Sequence, residues 1–289
     1  LGLQSEGDGP AAMALLEREL RVQPFWVEGH RTLARIRLTR AEQGEHDRSF
    51  AEACATSGAP LALHLAWFHN AAIARDWDKV HAILENAEHA FPGQPALRAA
   101  RFYCAAETGD DVSAEAALPG LASMNDPGLD LCRVRFHLRL GQWTEAERCA
   151  RRHVGSASGA MFWPYLSLIW RLTDNPLAQW LDGAPPYLSV IDLDISSGQL
   201  ADLADVLRRL HILQAPYPEQ SVRGGTQTDR PLFFHPDPAV QAARHKIMDA
   251  VRGYVDALPP HDPHHPLLAP DRSTLLLDGS WSVRLTDKG

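Results

Sequence analysis

Several groups of residues have types and spacings that chemistry can use. His235-Pro236-Asp237 has the His-x-Asp spacing of a metal-binding pair, and His261, His264 and His265 stand downstream as sources of a third ligand. A set of two histidines and a carboxylate with open coordination positions is what a non-haem Fe(II) oxygenase uses. Against that use, Pro236 pre-sets a turn and the tripeptide opens a helix rather than lying on a strand. The His/Pro loop is most simply solvated. Gly224-Gly225 invites a phosphate cradle, but it lacks the Gly-x-x-x-x-Gly-Lys-Ser/Thr and Gly-x-Gly-x-x-Gly spacings. A backbone kink with positive φ or a close approach is expected there instead. Ser280 and Ser282 lack the Gly-x-Ser-x-Gly elbow of a nucleophilic serine.

The remaining reactive types are scattered. Cys54, Cys104, Cys132 and Cys149 form no Cys-x-x-Cys pair, so neither a zinc ribbon nor a disulfide framework is indicated. They read as small buried apolar residues in a reducing, cytoplasmic setting. His30, His64, His69, His81, His89, His137 and His153 lie along helical stretches, with only the loose pair His64/His69 five apart. A helical zinc site wants ligands four apart on one face, so these are expected to be packed or surface histidines.

The elements that must position these residues follow from composition and periodicity. The chain has 289 residues, 45% hydrophobic, with 28 Lys+Arg against 36 Asp+Glu and a net charge of −8. That composition supports a sizeable core and excludes collagen-like and low-complexity classes. The acidic balance and the absence of a basic stripe argue against nucleic acid as a partner. The longest apolar run, around 161–170, falls short of the roughly 20 residues of a membrane span. The start, Leu1-Gly2-Leu3, has neither the basic nor the apolar region of a signal peptide.

A period runs through the first half. Turn positions Gly7, Gly44, Arg75, Gly109 and Gly141 step by 37, 31, 34 and 32 residues, scattering around the 34 expected of helix-turn-helix repeats. Between them lie Ala-rich stretches with apolar residues three and four apart, such as 61–68 and 80–87, suited to stacking hairpins. This region resembles tetratricopeptide (TPR) repeats, with Gly141 to Ala150 the best match and the second repeat the poorest. A non-repetitive helical bundle is the alternative. Since Gly7 takes a turn between paired helices, the chain is expected to begin inside a repeat and to be a fragment. Asn70, Arg101 and Arg135 are candidate groove residues, unranked against ordinary surface positions.

The pattern changes past Asn175-Pro176. Tyr187 to Leu193 reads as a strand, 199–211 as an amphipathic helix, and about 238–258 as another. Ser273 to Leu277 and Ser280 to Leu285 read as strands, the latter half-buried through alternating Trp281, Val283 and Leu285. The strings Gln220-Ser221-Val222-Arg223-Gly224-Gly225-Thr226-Gln227-Thr228, His265-Pro266-Leu267 and Gly279-Ser280-Trp281-Ser282-Val283-Arg284-Leu285 together resemble the opening half of a 2-oxoglutarate/Fe(II) oxygenase domain carried behind TPR repeats. Trp163-Pro164-Tyr165-Leu166 resembles its connector.

The resemblance implies a mainly α chain: a TPR-like helical-hairpin superhelix followed by the incomplete start of an α/β domain, the front part of a double-stranded β-helix. The expected divisions are TPR-like repeats over 1–158, a helical connector over 159–183, and the opening of the oxygenase domain over 184–289. Fe(II) and 2-oxoglutarate are implied for the full-length dioxygenase, with the metal motif beyond residue 289 and this fragment inactive and unloaded. Arg223, Thr226, Gln227 and Arg284 are candidate pocket-lining residues; none is expected to be catalytic or a metal ligand. A peptide or protein is the expected partner of the repeats, without nucleic acid or membrane. The alternative is a non-enzymatic scaffold that binds a peptide in its concave groove.

Overall fold

The computed structural model describes residues 8–40, 46–213, 224–228 and 231–285. They fall into two compact units: Leu1–Ala117 with Gly198–Val240 and Gly279–Gly289, and Leu118–Ser197 with Gln241–Asp278. The first unit opens with α1 (Gly9–Val22), α2 (Val27–Thr39), α3 (Arg48–Cys54), α4 (Leu61–Ile73), α5 (Trp77–Ala90), α6 (Pro95–Thr108) and α7 (Asp111–Ala117). The second opens with α8 (Pro127–Arg139), α9 (Trp143–Arg151), α10 (Trp163–Leu172) and α11 (Leu177–Asp182). Helix α4 packs against α2 before it and α6 after it, as well as against its own partner α5. Within the second unit α8 pairs with α9, α9 packs on α10, and α10 on α11.

The regularity is set at the turns. Arg75, Gly109, Gly141 and Asp174 all sit in the left-handed region, at φ 59°, 84°, 70° and 50°. Each is followed by a residue whose N–H reaches the carbonyl five back: Asp76 to Ala71 (3.1 Å), Asp110 to Ala105 (2.9 Å), Gln142 to His137 (2.9 Å) and Asn175 to Trp170 (2.8 Å). This bond is the signature of the Schellman helix terminus, which satisfies carbonyls that the ending helix leaves bare. Asp8, Asp76 and Asp110 then cap the next helix, accepting from Ala11 (3.0 Å), Lys79 (3.3 Å) and Ser113 (3.1 Å). The expected turns at 75, 109 and 141 are present. The turn at Asp174 lies inside the stretch read as a connector, so the hairpin pattern carries on through α10 and α11. Gly7 and Gly44 lie outside the described residues.

Two of these turns use a side chain where Gly costs nothing. A left-handed residue with a Cβ loses about 1–2 kcal/mol, and Gly returns about 0.5–1 kcal/mol of that in chain entropy. Arg75→Gly is therefore expected to stabilise by about 0.5–1 kcal/mol. Gly109→Ala and Gly141→Ala are expected to destabilise by about 1 kcal/mol each, all read as urea midpoints.

Cores form where the hairpins meet. In the first unit Ala34, Phe50, Ala53, Leu63 and Ala66 make one cluster, and Phe68, Ala71, Ala72, Val80, Ile83, Leu84 and Leu97 are among the members of the next. Alanines at the contacts let helices approach closely, and Phe50 and Phe102 are fully buried. In the second unit Val134, Ala146, Cys149, Phe162, Leu166, Ile169 and Trp170 pack together. Buried beside them is an ionic cluster that the sequence pattern does not reveal. Asp130, fully buried, accepts from Arg133 at 2.5 Å and lies 2.8 Å from His153 Nε2 and 3.4 Å from Arg152. Arg133 also donates to the carbonyls of Met124 and Leu121, and the His153 ring stacks on Phe162 with centroids 4.8 Å apart.

The later segments are α12 (Ser197–Leu210), β1 (Gly225–Gln227), α13 (Pro238–Ala257) and β2 (Val283–Leu285). β1 and β2 pair antiparallel, Gly225 opposite Leu285, Thr226 opposite Arg284 and Gln227 opposite Val283. The mainly α class holds. The β structure among the described residues is this ribbon, too little to establish the front of a double-stranded β-helix. Tyr187 to Leu193 and Ser273 to Leu277 are not strands: Tyr187 closes a 3-10 turn (Pro185–Tyr187), neither segment pairs with a strand among the described residues, and Leu188, Val190 and Leu276 are exposed. Ser280 to Leu285 shortens to Val283–Leu285, and Trp281, Val283 and Leu285 lie exposed rather than buried.

Candidate functional site

The ribbon brings together residues far apart in the sequence. Thr226 and Arg284 are cross-strand partners, so their side chains share a face, and Ser282, two residues before Arg284, falls on it too. His211, just past the end of α12, meets that face. Its Nδ1 is 3.0 Å from Thr226 Oγ1 and its Nε2 is 3.2 Å from Ser282 Oγ. Ser282 N–H donates to Thr228 Oγ1 and Thr228 N–H to the Ser282 carbonyl, both at 3.1 Å, continuing the pairing by one residue. Burial and then the positive charge of Arg284 push the His211 pKa below the ordinary imidazole value.

The glycine pair performs the backbone role expected of it. Gly224 is at φ 63°, and a Cβ on Gly225 would lie 2.5 Å from the Arg284 carbonyl oxygen, so the strands approach this closely only because that carbon is missing. Of the candidate residues, Thr226 and Arg284 stand together on the His211 face. Gln227 pairs with Val283 and points to the other face. Arg223 lies outside the described residues. His211 carried no local signal: it follows an amphipathic helix, and its partners are 15 and 71 positions away.

Of the histidines named as candidate metal ligands, His235 and His265 have other work, and His261 and His264 are exposed. His235 Nδ1 accepts from Asp237 N–H (3.2 Å), and Asp237 in turn accepts from Ala239 N–H (2.9 Å) at the start of α13. His265 is not solvated. It is 1% exposed, its Nε2 lies between the carbonyls of Trp180 (3.2 Å) and Leu181 (2.9 Å), and its Nδ1 accepts from Leu267 N–H (3.1 Å). The rings of Trp180 and Tyr187 flank it. Among the described residues no group of three His, Cys, Asp or Glu side chains could hold a metal ion. These residues do not fit an iron centre.

Other reactive groups are quenched or committed. Burial pushes the Cys54 thiol up to about 12 and raises those of Cys104 and Cys149, which removes the thiolate a nucleophile needs. Of the groove candidates, Arg101 holds Glu88 through two bonds of 2.8 and 2.5 Å, and Arg135 lies 3.6 Å from Cys132 Sγ. Among the described residues none bonds the buried Oδ1 of Asn70. No described helix is long and apolar enough to cross a membrane.

A more regular surface runs along the first helices of successive hairpins in the first unit. Helices α2, α4 and α6 begin at Val27, Leu61 and Pro95, 34 residues apart each time. Arg31, Leu65 and Ala99 therefore occupy one repeat position, and Arg35, His69 and Tyr103 another. Arg31, Arg35 and His69 are exposed, while Leu65, Ala99 and Tyr103 are partly buried, Leu65 and Tyr103 with one side against the core.

No family model matches the chain, and no curated protein does. Among solved structures it is similar to PilW, described as a widely conserved type IV pilus biogenesis factor, with 17% identity over 62% of this chain and 84% of that one and a TM-score of 0.46. It is also similar to a thermophilic TPR protein of Thermus thermophilus, with 22% identity over 61% of this chain and 94% of that one and a TM-score of 0.42. At these scores the assignment of helical-hairpin repeats rests on the hairpins and their shared turn geometry.

Proposed function

We propose that the hairpin array is a TPR-like docking surface for an extended peptide segment of another protein. The observation that carries this is the 34-residue recurrence of Arg31/Leu65/Ala99 and Arg35/His69/Tyr103 on first helices stacked in order. Stacked repeats present equivalent positions as a continuous strip, which suits a ligand read in steps along its length. Arg35, at one end of the strip, favours an acidic residue in that ligand, whereas Arg31 is held by Glu28 at 2.7 Å. A random-peptide phage library selected on the immobilised chain should enrich one motif. Arg35→Glu combined with His69→Glu should weaken binding of the enriched peptide about tenfold or more, with the urea midpoint unchanged. No enrichment, or equal binding to the double variant, would count against the strip.

A second reading is that residues 184–289 open a 2-oxoglutarate/Fe(II) oxygenase domain. The observation in its favour is that two of the three strings carrying the resemblance, those around Gly225 and around Arg284, pair as β1 and β2. On this reading Fe(II) and 2-oxoglutarate serve the full-length protein, with the iron ligands outside residues 1–289. Anaerobic addition of Fe(II) and 2-oxoglutarate to the 289-residue chain should give no stoichiometric charge-transfer band. Such a band would place the ligands within the chain and overturn that assignment.

A further inference from the structure

We propose that the His211 face of the ribbon is an oxyanion-binding site, taking a carboxylate or phosphate group between the Arg284 guanidinium and the hydroxyls of Thr226 and Ser282. The site depends on neither the docking strip nor the oxygenase reading. Counting protons points to it first. A neutral imidazole has one N–H and one bare nitrogen. With Thr226 Oγ1 at 3.0 Å and Ser282 Oγ at 3.2 Å, one hydroxyl accepts from the ring and the other donates to it. The accepting hydroxyl keeps its own proton free to donate away from the ring.

Beside that free donor stands Arg284. It is exposed, and among the described residues no carboxylate pairs with it. The face therefore presents a guanidinium, a hydroxyl donor and an imidazole, with no carboxylate among the described residues paired to Arg284. Elsewhere in the chain arginines take acidic partners readily: Arg101 with Glu88, Arg171 with Asp182, Arg37 with Glu17. The scaffold beneath is fixed. Thr226 and Arg284 are held in register by the strand pairing, Gly225 lets the strands close, and the reciprocal bonds of Ser282 and Thr228 lock the base of the ribbon. Donors held by a preformed backbone lose little entropy when a ligand arrives. Charge-assisted bonds from a guanidinium and hydroxyls to an oxyanion are the strong kind.

The imidazole gives the site a reporter. An anion beside Arg284 cancels the charge that disfavours protonated His211. The ring can then carry a second N–H, donate to both hydroxyls, and leave both hydroxyl protons to the anion. Arg284 is the charged group facing His211 from the ribbon, while Arg209, on α12, lies 3.9 Å from Asp237.

The test is a titration of the 289-residue chain with inorganic phosphate, and separately with succinate, at constant ionic strength, following the His Cε1–H resonances. A saturable shift of His211, absent from exposed His89 and His261, is expected with at least one of the two, and the better ligand identifies phosphate or carboxylate as the preferred group. Arg284→Gln should weaken it about tenfold or more, and Ser282→Ala should weaken it severalfold. Arg284 is exposed, so its replacement leaves the fold intact, checked by an unchanged urea midpoint. No saturable shift with either anion, or a shift that is the same in the Arg284 variant, overturns the proposal and leaves His211 as a structural pin between α12 and the ribbon.

Discussion

Replacing Asp130 with Ala is expected to lower the unfolding free energy by about 3–5 kcal/mol, seen as a fall in urea midpoint. The size follows from what the carboxylate holds. It is fully buried, 2.5 Å from Arg133 and 2.8 Å from His153, and Arg133 is itself only 4% exposed. Without Asp130 a guanidinium stays in the second unit's interior with only backbone carbonyls to balance it. Deleting one partner of a buried pair is far costlier than deleting both. The double variant Asp130→Ala with Arg133→Met should therefore recover much of the loss, and failure to recover would show that the charges are not coupled. The cluster also gives stability a pH dependence. Burial by itself would raise the Asp130 pKa, but the hydrogen bonds from Arg133 and His153 outweigh it and hold the carboxyl below its usual range. A depressed folded pKa means the stabilisation is complete above the unfolded value of about 4 and is lost as pH falls through the folded one. Asp130→Asn should flatten that acid limb.

Trp170→Ala is the second large effect, again about 3–5 kcal/mol, from the cavity that a fully buried indole leaves. Trp170 lies at the centre of the α9/α10 contact, 1% exposed, with its Nε1–H donating to Glu147 (2.9 Å), Arg151 5.3 Å from its ring and Trp163 edge-on. Trp170→Phe keeps most of the apolar area and removes the hydrogen bond, so it should cost about 1–2 kcal/mol. Denaturation followed by far-ultraviolet circular dichroism separates the two. Equal losses from both variants would mean that the polar contacts, not the packing, hold the site.

How much of this was legible depends on range. The turns at Arg75, Gly109 and Gly141 could be found because Gly, Asp and Trp recur there at near-constant spacing, and local backbone bonds enforce what those residues favour. Asp174 escaped because Asn175-Pro176 reads as the end of the helical pattern rather than as one more turn, and α11 is only six residues long. The alternation of Trp281, Val283 and Leu285 correctly separated two faces of a strand, but periodicity does not say which face is covered. His211 decided that by binding the hydroxyl side, through partners too far along the chain to anticipate. Composition likewise suggested a strand over Tyr187 to Leu193 without supplying a neighbour to pair with it. The buried state of His265 depends on carbonyls about 85 residues earlier, and no property of a His/Pro loop announces them.

The matching backbone at Arg75 and Gly109 has a further meaning. Both junctions close with the same five-back backbone bond, Asp76 to Ala71 and Asp110 to Ala105, although one has an Arg at the left-handed position and the other a Gly. Inserting a whole hairpin at such a seam is therefore expected to leave the joint's own backbone bond in place. What distinguishes one hairpin from the next is left to the solvent-facing residues, which makes this part of the chain closer to a ruler with rewritable marks than to a single fixed shape.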